Sequence, residues 1–112
     1  MLDLSALPMR IAVGQMRELT DENVLFIKQM GIQDVQFNFV GGAPPLPGDS
    51  RWEYMDLVRL RTRCEDVGFR LNAIENVPTR FYDKAMLGLP GRDEQIENMQ
   101  TTIRNIGKAG IP

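Results

Sequence analysis

The sequence of 112 residues predicts an α/β fold in which strands and helices alternate and the strands form a parallel sheet. Two observations support this prediction. Short apolar segments typical of strands alternate with longer segments of helical periodicity. A glycine recurs at the predicted end of each helix, at Gly31, Gly68 and Gly110, so that 37 and then 42 residues separate successive glycines. A motif that returns at such spacing indicates a repeated supersecondary unit.

Each of these glycines is predicted to occupy the C′ position of a helix, where a left-handed backbone conformation costs glycine little. An apolar residue follows each one and begins the next buried segment. The predicted strands are Met9–Gly14, Asp34–Phe39 and Arg70–Ile74. All three are short, and the second alternates apolar and polar residues, which is typical of strands.

A helical pattern follows each strand. Thr20 is the predicted N-cap of the first helix, the second spans roughly residues 51–67, and the third starts near Asp93. Apolar residues at helical spacing predict the faces that pack on the sheet. These residues are Val24, Ile27 and Met30, then Leu57, Leu60, Cys64 and Val67, then Ile96, Met99, Ile103 and Ile106.

The repeated units predict three consecutive βα units of a (β/α)8 barrel, that is, an incomplete barrel occupying residues 1–112. A fourth strand is expected after Pro112, where the third helix has just ended. Eight units of this length give roughly 300 residues, which is within the usual range for such a barrel. The alternative is a self-contained three-layer α/β domain, although doubly wound sheets usually contain five or six strands.

Composition excludes several classes of function. The net charge of −2 gives no electrostatic reason to expect nucleic acid or an anionic membrane as a partner. No apolar run is long enough to span a bilayer, and residues 1–9 do not resemble a signal peptide. A single cysteine favours the cytosol. Because the chain has no histidine, serine–histidine catalysis and imidazole metal sites are excluded from it.

Functional side chains of a βα barrel lie at the carboxyl ends of its strands. Three residues are therefore candidate substrate-binding residues: Asn38, Glu75 and Arg80. Asn38 and Glu75 follow the second and third strands, where they could contact a polyol, and Arg80 could bind a substrate carboxylate with its forked donors. The structural alternatives are an amide that satisfies backbone groups, a carboxylate held by neighbouring donors and a solvated loop cation. No catalytic residue and no metal ligand is predicted within this chain.

Two loops near these residues allow more than one interpretation. The segment Gly41–Gly48 is rich in proline and glycine but lacks the lysine and hydroxyl residue of a phosphate-binding loop. A structural connector is therefore predicted, and a role at the rim of the active site is the alternative. The connection from Pro78 to Gly91 is long for a βα loop. Its apolar residues form either a lid, a contact with another subunit, or a small cluster in a solvated loop. Cys64 and Trp52 are predicted to pack in the core.

Two stretches of the chain are familiar. Ile74-Glu75-Asn76-Val77-Pro78 resembles the third-strand signature of the mannonate dehydratase family, and residues 91–112 are similar to the third helix of that family. About forty of the 112 residues carry the resemblance. The family belongs to the xylose-isomerase-like TIM barrels, which share its general layout.

The resemblance implies a metal-dependent lyase that removes water from D-mannonate to give 2-keto-3-deoxygluconate in hexuronate catabolism. It also implies a sugar-acid substrate and a Mn²⁺ or Fe²⁺ ion held by His, Cys and Asp side chains of later strands. Among the family's functional residues, the resemblance assigns only Glu75 to the rim of the barrel. Thr79-Arg80 occupies the position where the family commonly has a histidine. The isolated chain is therefore expected to be inactive. The alternatives are part of a sugar or sugar-phosphate isomerase or epimerase barrel, and a non-catalytic α/β module that assembles into a homo-oligomer.

Overall fold

A three-stranded parallel sheet lies at the centre of the chain. The computed structural model describes residue 6, residues 8–39 and residues 46–112. The strands are β1 (Ala12–Met16), β2 (Asp34–Phe37) and β3 (Arg70–Ile74), and their order in the sheet is β1-β2-β3. Parallel neighbours in sequential order confirm the predicted fold class of consecutive βα units. In a (β/α)8 barrel each strand pairs with the next in the same way.

In the described part of the chain, four α-helices connect and follow the strands. They are α1 (Asp21–Gln29), α2 (Tyr54–Asp66), α3 (Asp83–Leu87) and α4 (Arg92–Lys108). The connection after β3 also contains a 3-10 helix at Thr79–Phe81, so the predicted long loop is largely helical. Thr20 caps α1 as predicted, since its Oγ1 accepts a hydrogen bond of 3.1 Å from the backbone N–H of Asn23. Among the described residues, no helix is long and apolar enough to cross a membrane.

The predicted bounds of two strands were wrong. β1 was predicted at Met9–Gly14 but lies at Ala12–Met16, and β2 ends at Phe37, two residues before the predicted end. The pairing of β1 with β2 shifts register between Val13 and Met16, which no apolar pattern reveals. Phe39 remains buried although it lies outside the strand, so burial continues where the ladder of hydrogen bonds has stopped.

The three recurring glycines end their helices in the same way. Gly31, Gly68 and Gly110 have φ angles of 72°, 87° and 74°, in the left-handed region. In each case the N–H of the next residue donates to the carbonyl of the third-last helical residue, which is the Schellman arrangement. These bonds join Ile32 to Ile27, Phe69 to Cys64 and Ile111 to Ile106. The prediction from sequence is therefore confirmed at all three positions.

Two glycines close to the end of α4 are expected to respond oppositely to alanine. A Cβ at Gly110 would lie 2.9 Å from Nη1 of Arg61, and the backbone there has a positive φ. Gly110→Ala should therefore lower the free energy of unfolding by about 1–2 kcal/mol. A Cβ at Gly107, inside the helix, would meet no atom within 4 Å. Gly107→Ala should raise that free energy by about 1 kcal/mol. Urea denaturation measures both, and effects of the same sign would contradict this account.

An aromatic row crosses the core from β2 to the 3-10 helix. Phe37 stacks on Phe39 with ring centroids 5.8 Å apart, and Trp52 meets the rings of Phe39 and Phe81 edge-on at 5.2 and 5.6 Å. All four side chains are almost fully buried. The row joins the segments that follow β2 and β3, so it holds the carboxyl ends of these two strands in a fixed relation.

The buried face of α4 differs from the predicted stripe. Met99 and Ile106 pack against the core as predicted, but the side chains of Ile96 and Ile103 are 47% and 61% exposed. Thr102 lies at the core position instead and is fully buried. Its Oγ1 accepts a hydrogen bond of 3.2 Å from the backbone N–H of Trp52. A hydroxyl group is favoured at this position because it satisfies a buried donor.

The predicted face of α1 is also only partly correct. Ile27 is buried and Val24 packs against the core, but Met30 is 45% exposed. On α2, the predicted residues Leu57, Leu60 and Cys64 are all buried. Helix α2 therefore packs on β3, α4 packs against α2 and α3, and α1 contributes one fully buried side chain to the core.

Candidate functional site

The two faces of the sheet differ in chemistry. Along β2, Val35 and Phe37 are buried in the core beneath the helices. Asp34 and Gln36 alternate with them and therefore project from the opposite face, which we call the inner face. Polar side chains from all three strands meet on the inner face and form two groups, one at each end of the strands.

Glu75 is the centre of the group at the carboxyl end. Its backbone N–H donates to the carbonyl of Phe37 at 2.7 Å, which continues the ladder one residue past β3. Its Oε2 accepts a hydrogen bond of 3.2 Å from Nε2 of Gln36, and its Oε1 accepts a longer one of 3.5 Å from Nε2 of Gln15. We call Gln15, Gln36 and Glu75 the Glu75 cluster. It joins side chains of β1 and β2 to the residue that follows β3.

The Glu75 cluster is suited to binding hydroxyl groups. An ionised carboxylate only accepts hydrogen bonds, and each of its oxygens has room for more than one donor. The two amide groups already donate to it, so their carbonyl oxygens are further acceptors. A ligand that carries hydroxyl donors satisfies these oxygens, whereas a carboxylate or phosphate would be repelled by Glu75.

Asn38 lies one residue beyond β2 at the same end of the sheet. Its backbone N–H donates to the carbonyl of Met16 at 2.9 Å, and the residue is half-buried. The structure thus places Asn38 at the carboxyl edge, as the sequence predicted. Its contact with a substrate stays a prediction.

Arg80 lies in the 3-10 helix and is exposed. Its Nη2 donates to the carbonyl of Gly48 at 2.7 Å, and its guanidinium carbon lies 5.5 Å from the centre of the Phe81 ring. Arg80 therefore joins the segment before α2 to the segment after β3, and no described contact links it to the Glu75 cluster. Its role in binding a substrate carboxylate stays a prediction. Most of the glycine- and proline-rich loop lies outside the described residues.

A second polar group surrounds Asp34 at the amino end of β2. The guanidinium group of Arg70 donates from Nε and Nη2 to the two carboxylate oxygens, at 2.6 and 3.0 Å. Asn72 donates to Oδ1 at 3.4 Å, and Nε of Arg10 lies 3.8 Å from the same oxygen. These hydrogen bonds, that of Arg70 first, hold the pKa of the Asp34 carboxyl below its usual value despite the opposing effect of burial. The pair links β2 to β3 and has a structural role.

The Asp34–Arg70 pair predicts a stability that depends on acid pH. The pKa of Asp34 is lower in the folded state than in the unfolded state. The pair therefore contributes fully to the free energy of unfolding above about pH 4, and this contribution is lost as the pH falls through the folded pKa. Asp34→Asn should lower the free energy of unfolding at pH 7 by about 2 kcal/mol, because hydrogen bonds to a charged group are lost. It should also weaken the decline of that free energy between pH 4 and pH 2.

Chemical denaturation across this pH range measures the effect. Asp66→Asn is the matched control, since Asp66 is exposed at the end of α2. This control variant should keep the pH dependence of the wild type. An unchanged acid dependence in Asp34→Asn would contradict a stabilising role of the pair.

Gln36, Asp34 and Arg70 are not among the site residues that the sequence predicts. The signal that could have found them is the alternation in β2: the pattern that marks Val35 and Phe37 as buried assigns the residues between them to the other face. Cys64, in contrast, was interpreted correctly as a packing residue. Its side chain is fully buried on α2, and burial raises the pKa of its thiol to about 11.

The chain consists of consecutive parallel βα units, and a polar cluster lies at the carboxyl ends of their strands. This arrangement places it in the class of βα-barrel segments. Comparison with known proteins then defines the family. The model of the D-mannonate dehydratase (UxuA) family matches residues 14–112, and the chain belongs to this family. The resemblance noted in the sequence is thus confirmed.

Individual relatives agree with the family match. The chain is 38% identical over 72 residues to a mannonate dehydratase of Thermotoga maritima and 37% identical over 67 residues to one of Streptococcus pneumoniae. These alignments cover 64% and 60% of this chain. The crystal structure of mannonate dehydratase from Streptococcus suis serotype 2 superposes with a TM-score of 0.73 and 28% identity over 93% of this chain.

The matched region is a small part of each relative. It corresponds to 19% of the Thermotoga protein, 18% of the S. pneumoniae protein and 28% of the S. suis chain. The Glu75 cluster lies within the residues that the family model matches. The matched region therefore includes the residues around Glu75, and the relatives are several times longer than the elements described above.

Proposed function

We propose that the chain supplies the first three βα units, and part of the substrate-binding rim, of a mannonate dehydratase built on a (β/α)8 barrel. This enzyme would be a lyase that removes water from D-mannonate to give 2-keto-3-deoxygluconate. The observation that carries the proposal is the carboxylate of Glu75, held between two amide groups at the carboxyl ends of three parallel strands. A rim of hydroxyl acceptors suits a polyhydroxy acid.

The contribution of this chain to the reaction is binding and orientation. Loss of water from D-mannonate to give the 2-keto-3-deoxy acid removes a proton from carbon 2 and hydroxide from carbon 3. Glu75 would accept a hydrogen bond from a substrate hydroxyl and so fix the sugar chain relative to the catalytic groups. Because Glu75 is negatively charged, the carboxylate of the substrate would lie away from it, and Arg80 is the candidate cation for that end of the substrate.

The divalent ion implied by the family, Mn²⁺ or Fe²⁺, does not fit the residues of this chain. The chain has no histidine, and no three of its described Cys, Asp or Glu side chains could hold a metal ion together. Cys64 lies on α2 and faces the hydrophobic core. The amide groups beside Glu75 already donate hydrogen bonds to its carboxylate. We therefore propose that any metal ligands come from elsewhere in the enzyme. A cytoplasmic location, which the single cysteine favours, is part of the same proposal.

A direct assay tests this function. The full-length protein carrying these residues is incubated with D-mannonate and Mn²⁺ or Fe²⁺, and formation of the 2-keto-3-deoxy acid is measured. We expect product from the full-length protein and none from residues 1–112 alone. Absence of product from the full-length protein with either ion would refute the proposal. Turnover of a sugar by isomerisation instead would favour the isomerase alternative.

A further inference from the structure

We infer that Gln15 is a positioning residue that orients the carboxylate of Glu75 toward a hydroxyl group of the substrate. The inference rests on the proposed function and adds a residue and a role to it. Three features support it: the backbone conformation of Gln15, the space left by Gly14, and the way in which the two glutamines share the carboxylate.

The backbone of Gln15 is strained. Its φ angle is 62°, and it is the only residue other than glycine with a positive φ in the described part of the chain. The left-handed conformation is unfavourable for a residue with a Cβ atom. It falls within β1, an edge strand of the described sheet, where this strand shifts register against β2, and not at a helix end. Strain of this kind persists only where the surrounding structure or a function requires it.

Packing does not explain the strain. Gln15 is exposed, so no burial of its side chain offsets the unfavourable backbone. Its described side-chain contact is the hydrogen bond from Nε2 to Oε1 of Glu75. At 3.5 Å this bond is longer than the bond of 3.2 Å that Gln36 donates to the same carboxylate. The unusual conformation thus serves to direct an amide group toward Glu75.

The neighbouring residue is adapted to the same carboxylate. A Cβ atom at Gly14 would lie 3.3 Å from Oε1 and 3.5 Å from Cδ of Gln36. The absence of a side chain at Gly14 therefore leaves room for Gln36 to cross the inner face and donate to Glu75. Two consecutive residues of β1, Gly14 and Gln15, thus favour the same arrangement by different means.

The two glutamines divide the carboxylate between them. Gln15 donates to Oε1 and Gln36 donates to Oε2, so the Glu75 carboxylate is held from two strands. Two donors from different strands restrict its rotation, and the lone pairs that remain face a ligand. Gln15 would act on the substrate only through Glu75. It is therefore a positioning residue and not a catalytic one.

The test uses the full-length protein with Gln15→Gly. Glycine adopts a positive φ without strain, so the melting temperature should be equal to or higher than that of the wild type. The KM for D-mannonate should rise about tenfold, because Glu75 loses one of its orienting hydrogen bonds. The kcat should change much less than the KM, as expected for lost binding. A structural role would instead lower the melting temperature.

A second variant separates the donor from the backbone. Gln15→Glu keeps the length and the strained conformation but replaces the N–H donor with a carboxylate that repels Glu75. Its KM should rise at least as much as that of Gln15→Gly. Gln100→Glu, at an exposed position on α4, makes the same chemical change away from the site and should leave the KM unchanged.

The outcomes distinguish this inference from the proposed function. If the wild type does not dehydrate D-mannonate, the proposed function fails. If the wild type is active and both Gln15 variants keep its KM, the positioning role is refuted while the function stands. A lower melting temperature in Gln15→Gly with an unchanged KM also refutes the positioning role, since it assigns Gln15 to folding.

Discussion

Trp52→Ala is expected to lower the free energy of unfolding by about 4 kcal/mol, the range for removing a large aromatic side chain from a core. Trp52 is 1% exposed and lies between the rings of Phe39 and Phe81 in the aromatic row. Its backbone is held by Thr102 and Asn105 of α4, the latter through a hydrogen bond of 2.9 Å from Nδ2 to the Trp52 carbonyl. The backbone cannot easily move to fill the space, so a cavity should remain.

Urea denaturation of the variant and the wild type measures this loss. Tyr54→Ala is the matched control, because Tyr54 is an aromatic residue two positions away that is 43% exposed. It should cost less than about 1 kcal/mol, as substitutions at exposed positions usually do. Similar losses in the two variants would show that the aromatic row does not dominate the packing at this end of the sheet.

Glu75→Gln is expected to lower kcat/KM for D-mannonate about 100-fold in the full-length protein, the upper range for losing hydrogen bonds to a charged group. An amide at this position accepts through one oxygen only and presents its own donors to Gln15 or Gln36. The cluster would then lose both its charge and its arrangement. Steady-state kinetics measure the loss, and the melting temperature shows whether the fold is intact.

Glu97→Gln provides the control for this prediction. Glu97 is exposed on α4, within the stretch that resembles the family, and no described hydrogen bond or ion pair links its side chain to the Glu75 cluster. Its variant should retain the kcat/KM of the wild type. If Glu75→Gln also retained it, Glu75 would be a structural carboxylate and the substrate-binding rim would have to lie elsewhere.

Features that depend on neighbours along the chain were predictable from the sequence. The bounds of β3, the N-cap at Thr20 and the helix ends at the three recurring glycines are all correct. Each is decided by local chemistry: a hydroxyl group that accepts from the backbone, a residue that tolerates a positive φ, or an apolar run between helix ends. The position of Glu75 at the carboxyl edge followed from the same reasoning, because it comes directly after β3.

Other features depend on contacts between distant segments. The choice of Thr102 over Ile103 for the buried face of α4 depends on the backbone N–H of Trp52, 50 residues earlier. The bounds of β1 depend on its register with β2. Periodicity alone favours the helix face with the most apolar residues, so it predicted burial of Ile96 and Ile103, which are exposed. For β1, the apolar pattern placed the first residue three positions too early.

By itself, the sequence determined the alternation of strands and helices, the helix ends and the family resemblance, because these depend on local patterns and short motifs. Only the tertiary structure decided which side chains meet on the inner face. Gln15 and Gln36 lie in β1 and β2 and Glu75 directly follows β3, so that 60 residues separate the first from the last. Their contact depends on strand order and on the strained backbone of Gln15, which side-chain patterns do not encode.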